Sequence, residues 1–112
     1  MTGLHSHQPV LLQAAVTAMH IHPQGCYIDG TFGRGGHSEA ILQQLDERGS
    51  LYALDKDFSA VQYGRKKFAG DARFHMLHSS FARLSGVAAQ YELLGRVDGL
   101  LLDLGVSSPQ LD

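Results

Sequence analysis

The chain lacks most of what would commit it to an extracellular, membrane or strongly electrostatic role. Cys26 is its only cysteine, which excludes an intrachain disulfide and points to a reducing compartment. Placed at the start of an apolar run, that thiol reads as a small buried hydrophobe, not a nucleophile. Long hydrophobic runs are missing too. The longest, "VDGLLLDLGV", carries two Asp residues and is far too short to span a bilayer. The opening "MTGLHSHQPV" has no basic region followed by an apolar one, so it does not read as a signal peptide. Together these absences predict a cytoplasmic protein. Charge of one sign is equally scarce. Nine basic against eleven acidic residues leave a net charge of −2, without the basic excess that marks nucleic-acid binding by electrostatics alone. The basic cluster Arg65-Lys66-Lys67 reads as a solvated helix face. His5/His7, His20/His22 and His75/His78 come in pairs, but no Glu, Cys or third His completes a zinc-type set, so no metal site is expected.

What is present is an ordinary globular composition: 112 residues, 44% hydrophobic and 18% charged, enough for one domain or a piece of one. Val10, Leu11, Ala14, Ala15, Ala18 and Met19 recur at helical spacing and predict an N-terminal helix, stopped by Pro23 and Gly25. "CYIDG" then reads as a short buried strand. "GHSEAILQQL" is a helix covering the sheet with Ala40, Ile41, Leu42 and Leu45, and "SLYALD" is a second strand ending on Asp55. A helix over 57–68 opens on Asp57 as N-cap and turns Ala60, Val61, Gly64 and Phe68 inward. "ARFHML" is a third strand, 81–95 a weaker helix, "VDGLLLDLG" a fourth strand, and "VSSPQLD" a loop. Alternating strands and helices predict an α/β fold with a parallel sheet covered on both faces. In a doubly wound sheet ordered 3-2-1-4 the fourth strand would be an apolar edge, which whole proteins cover or extend, so the sheet is expected to be incomplete.

The stretch "YIDGTFGRGGHSEA" sets Gly30, Gly33, Gly35 and Gly36 between the first strand and the first helix. So many glycines are costly unless the backbone takes positive φ or passes close to something, and a bound small molecule is the natural reason. The amides of Gly35, Gly36 and His37 open the helix and are placed to donate to carboxylate or phosphate. The dinucleotide signature does not fit, because Ser38 stands where the third glycine belongs, and no P-loop exists. Asp55, ending the second strand, lies where a carboxylate accepts both hydroxyls of an adenosine ribose. Those two features favour S-adenosylmethionine over a nicotinamide cofactor. The plainer readings are that Asp29 caps the following turn and that Asp55 and Asp57 form an N-cap pair.

Asp103 ends the fourth strand and faces the same crevice. An enzyme that methylates an exocyclic amine needs acceptors there. The amine's lone pair is delocalised into its ring, and an acceptor on the N–H hydrogens turns it toward the methyl donor. Asp103 either does this as a catalytic residue or binds the cofactor's cationic end; alternatively it only forms the turn before Gly105.

"HQPVLL" at 7–12, "YIDGTFGRGGHS" at 27–38, "LDKD" at 54–57, "HSSF" at 78–81 and "VDGLLLDLGVSSPQLD" at 97–112 occur in one order. Together they resemble the N-terminal part of the bacterial small-subunit ribosomal RNA cytosine-N4 methyltransferases, the MraW/RsmH family. The resemblance covers essentially the whole chain. It implies a Rossmann-like class I methyltransferase fold, with residues 1–112 forming the N-terminal part of the domain and the remaining strands and an inserted helical domain absent. It also implies cofactor contacts from Gly35, Gly36, His37, Asp55, Phe81, Asp103 and Gln110. Asp55 would hold the ribose, Phe81 would pack on the adenine, and Gln110 offers both donor and acceptor. Three positions depart from the family pattern: Ala14 stands for a usual Glu, Phe58 for a common Pro, and "HSSF" for "HGNF".

The expected activity is methyl transfer from S-adenosyl-L-methionine to N4 of a cytidine in small-subunit ribosomal RNA, or in the assembled small subunit. The 112-residue segment is expected to bind cofactor weakly and to be inactive alone. The rivals are a half-domain of an NAD-dependent oxidoreductase using the same crevice, and a non-catalytic interaction module.

Overall fold

A computed structural model describes residues 16–91 and 95–102. Its elements run β1 (Cys26–Asp29), α1 (Gly36–Gln44), β2 (Ser50–Asp55), α2 (Phe58–Lys67), β3 (Phe74–His78), a 3₁₀ turn (Phe81–Arg83), α3 (Leu84–Gln90) and β4 (Gly99–Leu101). All pairings are parallel and the strand order is β3-β2-β1-β4, as the sequence predicts. Cys26 lies opposite Ser50, Leu51 opposite Phe74, and Tyr27 opposite Gly99.

Side chains alternate between the two faces of a strand, and here the faces are covered unequally. Tyr27, Leu51, Ala53 and Met76 point to one face, where α1, α2 and residue Val16 bury them. Ile41, Leu51, Leu54 and Val61 are each 0% exposed, and each contributes about 1.5–3 kcal/mol by leaving water. The opposite face is thinner. Ile28 and Leu54 are its buried core, while Cys26, Tyr52, Leu77, Leu84 and Val97 are half-covered around them. Cys26 is therefore a partly buried member of the thin face and not the fully buried hydrophobe its context suggests.

Local chemistry sets the element limits. Asp57 caps α2 as expected, accepting the Ser59 amide at 3.0 Å and the Ser59 hydroxyl at 2.9 Å. The third strand begins at Phe74, later than its apolar pattern suggests. Asp71 accepts the Arg73 amide at 3.0 Å and turns the chain there. The predicted helix over 81–95 is a 3₁₀ turn followed by α3, in keeping with a Ser-Gly-Val run that favours helix poorly. Of the N-terminal helix, 16–18 is helical, and His20 follows with φ 51°. The rest of that helix, Ala14 included, lies outside the described residues, as do Asp103, the loop 106–112 and Gln110.

Two side chains stitch distant segments. Arg73 Nη1 donates to the Leu42 and Leu45 carbonyls at 2.8 and 2.7 Å, satisfying acceptors that the end of α1 leaves open. Its Nη2 pairs with Asp71 at 2.7 Å. Asp98 accepts the Cys26 amide on its carboxylate at 2.8 Å, while its own amide donates to the Cys26 carbonyl at 2.7 Å, so β4 is keyed to β1 before their ladder begins.

Candidate functional site

In this strand order the connections leave β1 and β3 in opposite senses, and ligands of open α/β sheets bind beyond the carboxyl ends of the strands near such a reversal. The loop after β1 crosses those ends and is pinned at successive points. The Gly30 amide donates to the Leu101 carbonyl at 2.8 Å and the Phe32 amide to the Leu54 carbonyl at 2.9 Å. The Gly33 amide then donates to Asp55 Oδ2 at 2.8 Å.

Glycine is needed here for the backbone. Gly33 has φ 57° and Gly35 has φ 87°, both in the left-handed region that side chains disfavour. A Cβ on Gly35 would also stand 2.8 Å from the Phe32 ring. Phe32 itself is the anchor, 2% exposed. Its ring meets Phe68 edge-on at 6.3 Å and Phe74 at 5.9 Å, so the loop's shape is fastened to the core beneath α2. Nothing in the sequence pattern singled it out, because an aromatic among glycines carries no periodicity.

Asp29 is buried. Its Oδ2 accepts the Ser38 hydroxyl at 2.7 Å and its Oδ1 the Thr31 amide at 3.2 Å, so it ties the loop to the first turn of α1. The turn-capping reading of Asp29 describes these bonds. Asp55 is different. Oδ2 takes the Gly33 amide and Oδ1 takes the Asp57 amide at 2.9 Å. A carboxylate offers about four acceptor positions, and among the described residues these two amides fill two of them.

The amide of Gly35 is engaged with the Phe32 carbonyl at 2.9 Å. Gly36 and His37 occupy the first turn of α1, where amides have no carbonyl four residues back in the helix. Phe81 opens the 3₁₀ turn after β3. The structure thus brings Gly33, Gly36, His37 and Asp55 to one end of the sheet. A cleft of ≈ 270 Å³ opens between Gly30, Thr31, Asp55, Lys56, Ser79 and Ser80. Thr31, Lys56 and the two serines were not singled out from sequence, though "HSSF" marks the loop that carries the serines. Phe58, one of the family departures, is 51% exposed at the start of α2, its ring 5.4 Å from that of His78.

The cleft is slightly smaller than the roughly 300–1,000 Å³ of whole ligand pockets, as expected for part of one. The cleft sets the Asp55 carboxylate beside backbone amides and the Thr31, Ser79 and Ser80 hydroxyls, a donor and acceptor set suited to a polar, hydroxyl-bearing ligand. No described helix is long and apolar enough to cross a membrane.

Comparison with known proteins agrees with this architecture. The chain is 54% identical over 106 residues to the ribosomal RNA small subunit methyltransferase H of Legionella pneumophila (strain Corby). That match covers 95% of the chain but 34% of the relative, so the chain spans about a third of the length of the curated relatives it matches. Among solved structures, a SAM-dependent O-methyltransferase from Thermotoga maritima superposes with a TM-score of 0.60 at 12% identity, covering 67% of this chain and 29% of that one. An rRNA methylase from Streptococcus thermophilus superposes with a TM-score of 0.54 at 14% identity, covering 91% of this chain and 76% of that one. The fold is thus the Rossmann-like one of class I methyltransferases. The family model described as the MraW methylase family matches residues 4–112, and the chain belongs to that family.

Proposed function

We propose that this chain carries the cofactor-binding part of an S-adenosyl-L-methionine-dependent methyltransferase that modifies N4 of a cytidine in small-subunit ribosomal RNA. The observation that carries the reading is the Asp55 carboxylate, held by the Gly33 and Asp57 amides at 2.8 and 2.9 Å while facing the cleft. Bound there, S-adenosyl-L-methionine supplies a methyl group already activated on a sulfonium. The chain's residues then bind and orient. Asp55 accepts the two ribose hydroxyls. Gly36 and His37 present first-turn amides to the methionine carboxylate. Phe81 packs on the adenine.

Asp103 and Gln110, which lie outside the described residues, supply the further contacts that the family resemblance implies. Asp103 accepts hydrogen bonds from the target amine and turns its lone pair toward the methyl group. No general acid is asked of the protein, because the sulfonium is a good leaving group, and the amine nitrogen gives up one proton to water as it is methylated. The target base leaves its stack to reach this crevice. Because the chain spans about a third of its curated relatives, the rest of the base pocket and much of the RNA-holding surface belong to sequence not in this segment. The segment alone is therefore inactive.

The family match gives the nicotinamide alternative no support. Isothermal titration of the chain with S-adenosylhomocysteine and with NAD tests the point. Heat with S-adenosylhomocysteine, abolished in Asp55→Ala, supports the reading; heat with NAD alone overturns it. Methyl transfer to ribosomal RNA by the isolated segment would overturn the claim of inactivity.

A further inference from the structure

Beside the cofactor cleft, and sharing Ser79 with it, a wider groove of ≈ 670 Å³ runs along the exposed edge of β3. Its walls include Arg65 from the last turn of α2, His78 at the end of β3, Arg83 in the 3₁₀ turn, Gln90 at the end of α3, and Tyr91. Among the described residues no carboxylate lines it. This local excess of cations stands out in a chain whose net charge is −2. Arg65 is oriented along the edge by donating Nη2 to the Met76 carbonyl at 3.4 Å, which also blunts a strand edge otherwise open to pairing. Tyr91 leans on Tyr52 with ring centroids 5.9 Å apart, yet is 40% exposed.

Guanidiniums for phosphate, an exposed ring for stacking and an amide for base edges are the means by which proteins hold unpaired RNA. An enzyme acting on an extruded base must also hold the neighbouring nucleotides. Resting on the RNA methyltransferase reading, we propose that the β3-edge groove seats a nucleotide flanking the target. Arg65 and Arg83 take its phosphate, and Tyr91 stacks on its base. The groove is large enough for a nucleotide, and its junction at Ser79 leads the strand toward the cofactor cleft.

The test is fluorescence anisotropy of a labelled, unstructured single-stranded oligoribonucleotide with the full 112-residue chain. The double variant Arg65→Gln/Arg83→Gln is expected to weaken binding roughly tenfold or more. The logarithmic salt slope should fall by about 0.7 per guanidinium removed. Tyr91→Ala weakens binding and Tyr91→Phe restores it. Arg48→Gln, at the far end of the sheet, removes one guanidinium outside the groove and is expected to have little effect. The inference is overturned if the wild-type chain does not bind the RNA, if the double variant binds like wild type, or if Arg48→Gln weakens binding equally. S-adenosylhomocysteine titration on the same variants reads the cofactor site separately. Retained cofactor binding with no groove effect counts against the groove alone.

Discussion

The Gly33 amide donates to Asp55 Oδ2 at 2.8 Å, across a sequence separation of 22 residues. That one bond couples the shape of the glycine loop to the carboxylate proposed to hold a ribose, so loop and ligand group are set together. Asp55→Asn keeps the size of the side chain but loses its charge and one of the two oxygens that accept the Gly33 and Asp57 amides. We expect a loss of about 1.5–3 kcal/mol in S-adenosylhomocysteine binding, with a smaller change in unfolding free energy. Titration calorimetry and urea denaturation on the same variant separate the two.

Phe32 holds the loop from below. Phe32→Ala is expected to cost about 3–5 kcal/mol, the range for removing a buried aromatic. Small domains have only about 5–15 kcal/mol in total, so the variant should be close to unfolding at room temperature. Phe32→Leu refills most of the space and should keep a cooperative transition by circular dichroism.

Arg73 predicts an acid-sensitive staple. Its hydrogen bond holds the Asp71 carboxyl below the ordinary carboxylate range. A carboxyl depressed in the folded state contributes stability above its unfolded value near 4 and loses it as pH falls further. Stability should therefore drop below about pH 4. Arg73→Met should flatten that drop and lower stability at neutral pH by about 1–3 kcal/mol, because the Leu42 and Leu45 carbonyls lose their donor. Thermal melts across pH read both effects.

His75 acts in a higher window. It stacks on Tyr52 at 4.4 Å and 16°, and burial pushes its pKa below the ordinary histidine value. A histidine held neutral when folded takes up its proton more readily when unfolded, so stability declines as pH falls below about 6.5. His75→Phe keeps the stacking and should remove that decline, as measured by denaturation at pH above and below the window.

Strand order was legible because periodicity and punctuation agreed. Pro23, Gly25 and Gly49 mark ends, Asp57 caps α2 as its position suggests, and the apolar runs are short enough to be strands. The cofactor end of the sheet was legible in outline, through the glycines and Asp55. The bonds that shape it were not. Phe32, Asp98 and Arg73 act across the fold on partners that no local pattern identifies. Asp29 shows the converse. A carboxylate before a glycine turn invites a ligand reading, yet it is buried and accepts the Ser38 hydroxyl and the Thr31 amide. The late start of β3 has a local cause, the Asp71 turn, which competed with the apolar pattern and won.

We propose that an adenosine-bearing cofactor lies over the carboxyl ends of β1, β2 and β3 with its ribose on Asp55. Amide chemical-shift mapping of the labelled chain during titration with S-adenosylhomocysteine tests it directly, and it works for weak binding. The largest, saturating shifts are expected at Gly33, Gly36, His37, Asp57, Ser79 and Ser80, and their loss in Asp55→Ala. Saturating shifts centred elsewhere, or unchanged by Asp55→Ala, would contradict it.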